Sequence, residues 1–120
     1  MKTAIITIDN TDYMIVFNNA VLTRMEDLGI SLGELHASKK PVTQIAQMMV
    51  LMIEQGAKYA ARKGLGAYPT ITVEDFNELT DYSDYASYQG LIADLITGDR
   101  QVDAVPAKKA GAEAEAAPTN

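Results

Sequence analysis

The segment from Pro41 to Lys63 constrains the fold more than any other part of the chain. It has no proline after its first position, and Gly64 follows it as a stop signal. At 100° per residue, one broad apolar stripe runs along it, made up of Ile45, Met48, Met49, Met52, Ile53, Gly56, Tyr59 and Ala60. At 1.5 Å per residue such a helix is about 30 Å long. The sequence therefore predicts a long central helix over residues 42–63 that spans a small domain.

Two apolar residues of this segment, Val50 and Leu51, lie towards the polar side of the predicted helix. They would either contact a second layer of the same chain or present apolar surface to a partner. Met48, Met49 and Met52 lie next to them, and methionine side chains adapt to varied apolar surfaces. These five residues are therefore the candidate partner-binding residues, and the alternative is that they fill the core.

The segments on either side predict an α+β, mostly α-helical fold. Residues 3–8 (TAIITI) and 13–17 (YMIVF) are β-branched and aromatic, and residues 9–12 between them (DNTD) favour a turn, which predicts a hairpin over 3–17. A lone hairpin is marginal in water, so one face should pack on helices. Capping residues and apolar periodicity predict, besides the central helix, four more over about 19–28, 32–37, 73–81 and 84–97.

The ends and buried faces of these helices are predicted from single residues. Asn18 or Asn19 should cap the first helix, and Gly29 should end it in a left-handed conformation. Leu28 and Leu79 are expected on buried faces because they match the helical period of their neighbours. Residues 1–103 are predicted to form one globular domain. Residues 104–120 are Ala-rich and lack large apolar residues apart from Val105, which predicts a disordered tail.

The charge of the chain argues against a nucleic-acid partner. The formal net charge is −6, and residues 67–103 hold one basic and eight acidic residues. Phosphate backbones repel such a surface. The chain has no run of the ~18 apolar residues that a membrane span needs. Residues 1–9 reach Asp9 before a secretory signal could form, so we expect a cytoplasmic protein.

The residue types that catalysis needs are scarce. The chain has no cysteine and one histidine, His36, which stands in a polar stretch beside Ser38. Zinc-ligand spacings such as H-E-x-x-H are missing from the sequence. Paired acids are frequent, but they fall on predicted solvent faces or in first helical turns, where propensity alone places them. The sequence predicts neither an enzyme nor a metal or cofactor site.

Two segments resemble a known family. The hairpin strand at 13–17 runs into N-A-x-x-x-R-x-E-x-x-G, formed by Asn19, Ala20, Arg24, Glu26 and Gly29, and an acidic E-D-F-x-E-L segment follows with Glu74, Asp75 and Phe76. This order resembles tail assembly chaperones of long-tailed phages and the related gene-transfer-agent proteins. In that family a short strand precedes an N-A-L-x-x-L-E-x-x-x-G helix, and a long helix, an acidic segment and a closing helix follow. The resemblance extends over residues 13–97.

The resemblance implies a role without catalysis. Such chaperones bind the tape measure protein, a long apolar helical chain, and keep it soluble while tail tube subunits assemble around it. They act in the cytoplasm of the infected bacterium and are not part of the finished particle. The implied partners are the tape measure protein and the tail tube protein, and a homo-oligomer is left open. The alternatives are another small phage structural protein, such as a head–tail connector or tail terminator, and a cytoplasmic adaptor unrelated to phage.

Overall fold

A computed structural model, which describes residues 2–31 and 39–97, contains a hairpin followed by four helices. The elements are β1 (Thr3–Ile8), β2 (Thr11–Val16), α1 (Asn19–Asp27), α2 (Pro41–Lys63), α3 (Val73–Leu79) and α4 (Tyr82–Thr97). The predicted α+β, mostly helical class is confirmed. The helix predicted over 32–37 and the tail predicted over 104–120 lie outside the described residues.

The hairpin turn is shorter than the turn predicted over residues 9–12. Asp9 and Asn10 both have positive φ, 50° and 63°, as the two central residues of a type I′ turn do. Ile8 therefore pairs with Thr11, and the register continues to Thr3 opposite Val16. The prediction that β2 begins at residue 13 was wrong because Asp and Asn, which tolerate this conformation, complete the turn by themselves.

Helix α1 is capped at both ends by local hydrogen bonds. The Asn18 side chain accepts a hydrogen bond from the Val21 N–H at 3.1 Å, so Asn18, not Asn19, is the N-cap. At the other end Gly29 has φ +74°, and the Ile30 N–H donates to the Met25 carbonyl at 2.9 Å. This is the pattern of a Schellman motif, which brings the buried Ile30 and Met25 together.

Leu28 does not lie on the buried face of α1. It is the C-cap residue, where the chain leaves the helix, and about half of its surface is exposed. The helical period that predicted its burial ends one residue earlier, at Asp27. Ile30 lies in the core instead, because the left-handed Gly29 turns the chain back towards the helix.

Helix α2 is the centre of the core. It begins at Pro41, one residue before the predicted start, and ends at Lys63. Its C-cap is Gly64, which has φ +69°. Strand β2 and the other three helices all pack against it. Its buried residues therefore extend beyond one stripe, and they are Ile45, Ala46, Met48, Met49, Val50, Leu51, Met52, Ile53, Gly56 and Ala60.

Strand β2 approaches α2 at Gly56 so closely that the two backbones are in contact. A Cβ atom at Gly56 would overlap the carbonyl group of Met14 and lie 2.9 Å from the Cα of Ile15. Glycine is thus required at this position for its lack of a side chain. The approach buries four consecutive strand residues, Tyr13 to Val16. The hairpin is held to the helices through β2, and β1 lies on its outer side.

The two last helices begin at capping residues. Thr72 caps α3 by accepting a hydrogen bond from the Asp75 N–H at 3.1 Å. Helix α3 ends at Leu79, two residues before its predicted end, and α4 begins at Tyr82, two residues before its predicted start. The reason is that Asp81 accepts hydrogen bonds from the backbone N–H groups of Ser83 and Asp84. Such a cap starts a new helix immediately. Leu79, predicted to be buried, is exposed near this junction.

Gly56→Ala tests the contact between β2 and α2. We expect it to lower the free energy of unfolding by about 2 kcal/mol or more, because the methyl group displaces the Met14 carbonyl in a packed interior. Chemical denaturation followed by circular dichroism measures the change.

Gly90→Ala is the matched control. Gly90 lies in α4, and a Cβ there meets nothing within 4 Å. The higher helix propensity of alanine should then raise the stability by about 0.5–1 kcal/mol. Equal effects of the two substitutions would contradict the proposed backbone contact.

Candidate partner-binding surface

The five residues predicted to bind a partner lie in the core. Met48, Met49 and Met52 are fully buried, and Leu51 is the most exposed of the set at 7%. All five belong to the main hydrophobic cluster. The structure therefore shows the first of the two arrangements considered for Val50 and Leu51, contact with a second layer of the same chain. The set therefore has little exposed surface, at most 7% of any one residue.

The surroundings of Val50 explain this burial. Val50 faces Tyr13 of β2 and the segment that leads into α3, around Ile71 and Val73. The sequence places Val50 on the polar side of α2 because helical periodicity assumes a single buried face. Here Ile71, from the loop after α2, and Phe76, from α3, belong to the same buried cluster as Val50 and Leu51, so a second face of α2 is covered.

Most of the residues that carry the family resemblance are exposed to solvent, and the others end a helix or lie in the core. Asn19, Ala20, Arg24 and Glu26 are exposed on α1, and Gly29 ends that helix. The Asn19 carbonyl accepts a hydrogen bond from the Thr23 hydroxyl at 3.0 Å. These residues thus share one helix and its C-terminal turn.

The acidic segment also contains both exposed and buried residues. Glu74 and Asp75 are exposed in the first turn of α3, where carboxylates interact favourably with the helix dipole. Phe76 is buried and contacts the ring of Tyr88 in α4, with 5.4 Å between the ring centroids. Phe76 therefore anchors α3 to α4, and the two acids face solvent.

Two of the exposed large apolar side chains, Val42 and Tyr82, line a groove between α2, α3 and α4, which we call the aromatic groove. Its volume is about 230 Å³. Its lining residues are Val42, Ile45, Ala46, Phe76, Asn77, Thr80, Asp81, Tyr82, Tyr85 and Tyr88. Val42 is 50% exposed and Tyr82 is 78% exposed, so apolar surface is present at its rim as well as its floor.

The aromatic rings give the groove a preformed shape. Tyr82 and Tyr85 are stacked, with 5.7 Å between their centroids and 21° between their planes. Phe76 and Tyr88 form the tilted pair at the floor. Aromatic pairs at these separations are favourable beyond their buried area. Tyrosine and phenylalanine side chains have few rotatable bonds, so a partner that packs on them orders little additional structure.

The α3 and α4 side of the aromatic groove is negative, whereas the exposed Lys39 and Lys40 precede Val42 on its α2 side. The chain has no Lys or Arg between Gly64 and Thr97, and the same stretch holds six carboxylates. Hydrogen bonds from Ser83 and the Asp84 N–H hold the pKa of Asp81 below its usual range. Burial raises the pKa of Tyr88, and the charge of Asp84 adds to that rise. Asp81 is therefore ionised and Tyr88 neutral at pH 7.

A second groove lies on the other side of α3. It has a volume of about 500 Å³ and is lined by residues from β2, α2, the loop at 70–72 and α3. Among them are Val50, Leu79, Glu54 and Asp75. Its lining is more polar than that of the aromatic groove, and its aromatic residue, Tyr13, is buried. The aromatic groove is therefore the better candidate for binding an apolar partner.

The described part of the chain shows no group of three or more His, Asp or Glu side chains that could hold a metal ion. His36 lies outside that part. None of the described helices has the length and apolar character needed to cross a membrane. Comparisons with protein-family models, curated proteins and solved structures find no match for this chain.

Val50→Asp tests whether the residues of α2 are core or surface. We expect a loss of about 4 kcal/mol or more in the free energy of unfolding, because an unpaired carboxylate would be buried. Thermal denaturation of the purified chain measures this loss.

Val42→Asp is the control in the same helix. Val42 is half-exposed in the first turn of α2, where an acidic residue is favourable. We expect it to change the stability by less than about 0.5 kcal/mol. A Val50→Asp variant as stable as the unmodified chain would show that Val50 is accessible after all.

Proposed function

We propose that this chain is a tail assembly chaperone of a long-tailed phage or prophage that binds the tape measure protein and keeps it soluble. The resemblance over residues 13–97 supports the family. The observation that carries the binding role is the aromatic groove, where Val42 and Tyr82 expose apolar surface beside a preformed cluster of rings.

The groove has the chemistry of a site for an apolar helix. Helix-in-groove recognition places the apolar face of one helix against a hydrophobic trough between others. Here Val42 lines the trough from α2, Tyr82 and Tyr85 line it from α4, and the buried Phe76 and Tyr88 also line it. This arrangement replaces the Met48–Met52 set as the proposed contact, since that set is buried.

The charges around the groove favour one kind of partner segment. Asp81 and Asp84 lie at the start of α4, and Glu74, Asp75 and Glu78 lie on the adjacent α3. We propose that the bound segment is an apolar helix with Lys or Arg residues on the side that faces α3 and α4, because opposite charges complement the acids there. The same negative surface would keep the complex soluble. Binding should weaken as salt screens these charges.

Under this proposal the chain acts in the bacterial cytoplasm and is missing from the finished particle. A head–tail connector or tail terminator would remain in the particle, so mass spectrometry of purified particles separates these proteins from a chaperone. An adaptor unrelated to phage would have no tape measure gene beside its own gene. For a chaperone, we therefore expect a gene that encodes a long helical protein downstream of the gene for this chain.

Co-expression tests the proposed contact. The unmodified chain should raise the soluble fraction of the downstream tape measure protein. Val42→Ser combined with Tyr82→Ser should reduce that gain at least about fivefold, a loss of roughly 1 kcal/mol of binding, because both substitutions remove exposed apolar surface from the groove. Quantitative gel analysis of soluble and insoluble fractions measures the effect.

Leu28→Ser combined with Leu65→Ser is the matched control. Both leucines are about half-exposed, and neither lines the groove. This variant should solubilise the partner as well as the unmodified chain does. If the two double variants lose activity equally, the aromatic groove is not the contact; if the unmodified chain has no effect, the chaperone function itself is wrong.

A further inference from the structure

Strand β1 has an open edge in the described part of the chain. The sheet there has two strands, β1 and β2, and α2 covers the β2 side at Gly56. Among the described elements, β2 is the one that packs extensively against β1. The side chains of Ile5 and Thr7, on the outer face of the strand, are exposed as well. An open edge carries unpaired N–H and C=O groups and can pair with another strand.

The type I′ turn determines which residues face that edge. In a hairpin with a two-residue turn, the residues next to the turn form a hydrogen-bonded pair, here Ile8 and Thr11. Hydrogen-bonded and non-hydrogen-bonded pairs then alternate along the strands. The backbone groups of Ile8, Ile6 and Ala4 therefore point to β2. Those of Thr7, Ile5 and Thr3 point outward.

Two copies of this edge are complementary to each other. In an antiparallel pairing, outward-pointing residues must lie opposite outward-pointing residues. When Ile5 lies opposite Ile5 of a second copy, Thr3 of each copy lies opposite Thr7 of the other. This gives three pairs across the two copies, and each pair exchanges two backbone hydrogen bonds. Shifting the register by two residues in either direction loses one of the pairs. The register centred on Ile5 therefore satisfies more backbone groups than any other antiparallel pairing of two β1 strands.

Side chains and charges fit the same register. β1 has no charged residue between Lys2 and Asp9, so the pairing opposes no like charges. The register centred on Ile5 places Lys2 of each copy opposite Ile8 of the other, next to Asp9. Opposite charges therefore lie close together at both ends of the paired strands. The two Ile5 side chains then lie side by side on one face and cover each other's exposed apolar surface.

We infer that the chain forms a two-fold symmetric dimer in which two β1 strands pair antiparallel about Ile5 and make a four-stranded sheet. The occupant of the edge is a second copy of this chain. This pairing leaves the aromatic groove of each copy outside the sheet, because none of the groove residues belongs to the hairpin. The inference is independent of the proposed chaperone function.

Single cysteines test the dimer and its register, since the natural chain has none. With Ile5→Cys, the two thiols face each other across the two-fold axis at a Cα–Cα distance of about 5.5 Å, within the range for a disulfide. Mild oxidation should convert most of this variant to a covalent dimer on a non-reducing gel. Thr7→Cys is the matched control, because the two copies of residue 7 lie about 13 Å apart along the strands. It should cross-link at most about one-tenth as much.

Two further measurements do not depend on cysteine. The unmodified chain should sediment at about twice its mass of 13.0 kDa. Ile5→Pro should sediment as a monomer, because proline removes an outward N–H while the hairpin keeps its own hydrogen bonds; circular dichroism verifies that it folds. A monomeric unmodified chain, or equal cross-linking of the Ile5→Cys and Thr7→Cys variants, would overturn the inference. A dimer that survives Ile5→Pro would also overturn it.

Discussion

The contact between Gly56 of α2 and the backbone of β2 determines how the rest of the chain is arranged. Because no side chain separates the two elements there, the strand lies directly on the helix, and Tyr13 to Val16 are all buried. One edge of the hairpin is covered in this way, and β1 is left on the outside. α1 follows from the end of β2, and the Asn18 amide donates a hydrogen bond to the Gln55 side chain of α2 at 3.3 Å.

This arrangement also explains why residues 48–52 in the middle of the long helix are buried. With β2 on one side and α1, α3 and α4 on the others, α2 has little apolar surface left to expose. Its methionines fill irregular space in the core, a role that suits their flexible side chains. The most exposed large apolar residue is instead at the start of α4, because the Asp81 cap places Tyr82 at the first position of that helix, facing solvent.

Several features of the fold follow directly from the sequence, and the errors have specific causes. Strong local signals, such as the stop at Gly64, the cap at Asn18 or Asn19 and the left-handed Gly29, predict helix ends because each depends on neighbouring residues only. The burial of Val50 and Leu51 depends on a loop that returns from distant sequence, which periodicity cannot show. The aromatic groove was missed for the same reason: Val42 and Tyr82 are 40 residues apart. The sequence signal that could have pointed to it is the spacing of Tyr82, Tyr85 and Tyr88, three residues apart on one helix.

The central claim is that the aromatic groove, and not the methionines of α2, contacts the tape measure protein. Hydroxyl-radical footprinting of the free chain and of its complex with the co-expressed tape measure protein tests it most directly, since this method reports the exposure of single side chains. We expect the oxidation of Tyr82 to fall several-fold in the complex, while that of Leu65, which does not line the groove, stays the same. Unchanged oxidation of Tyr82 in a stable complex would contradict it.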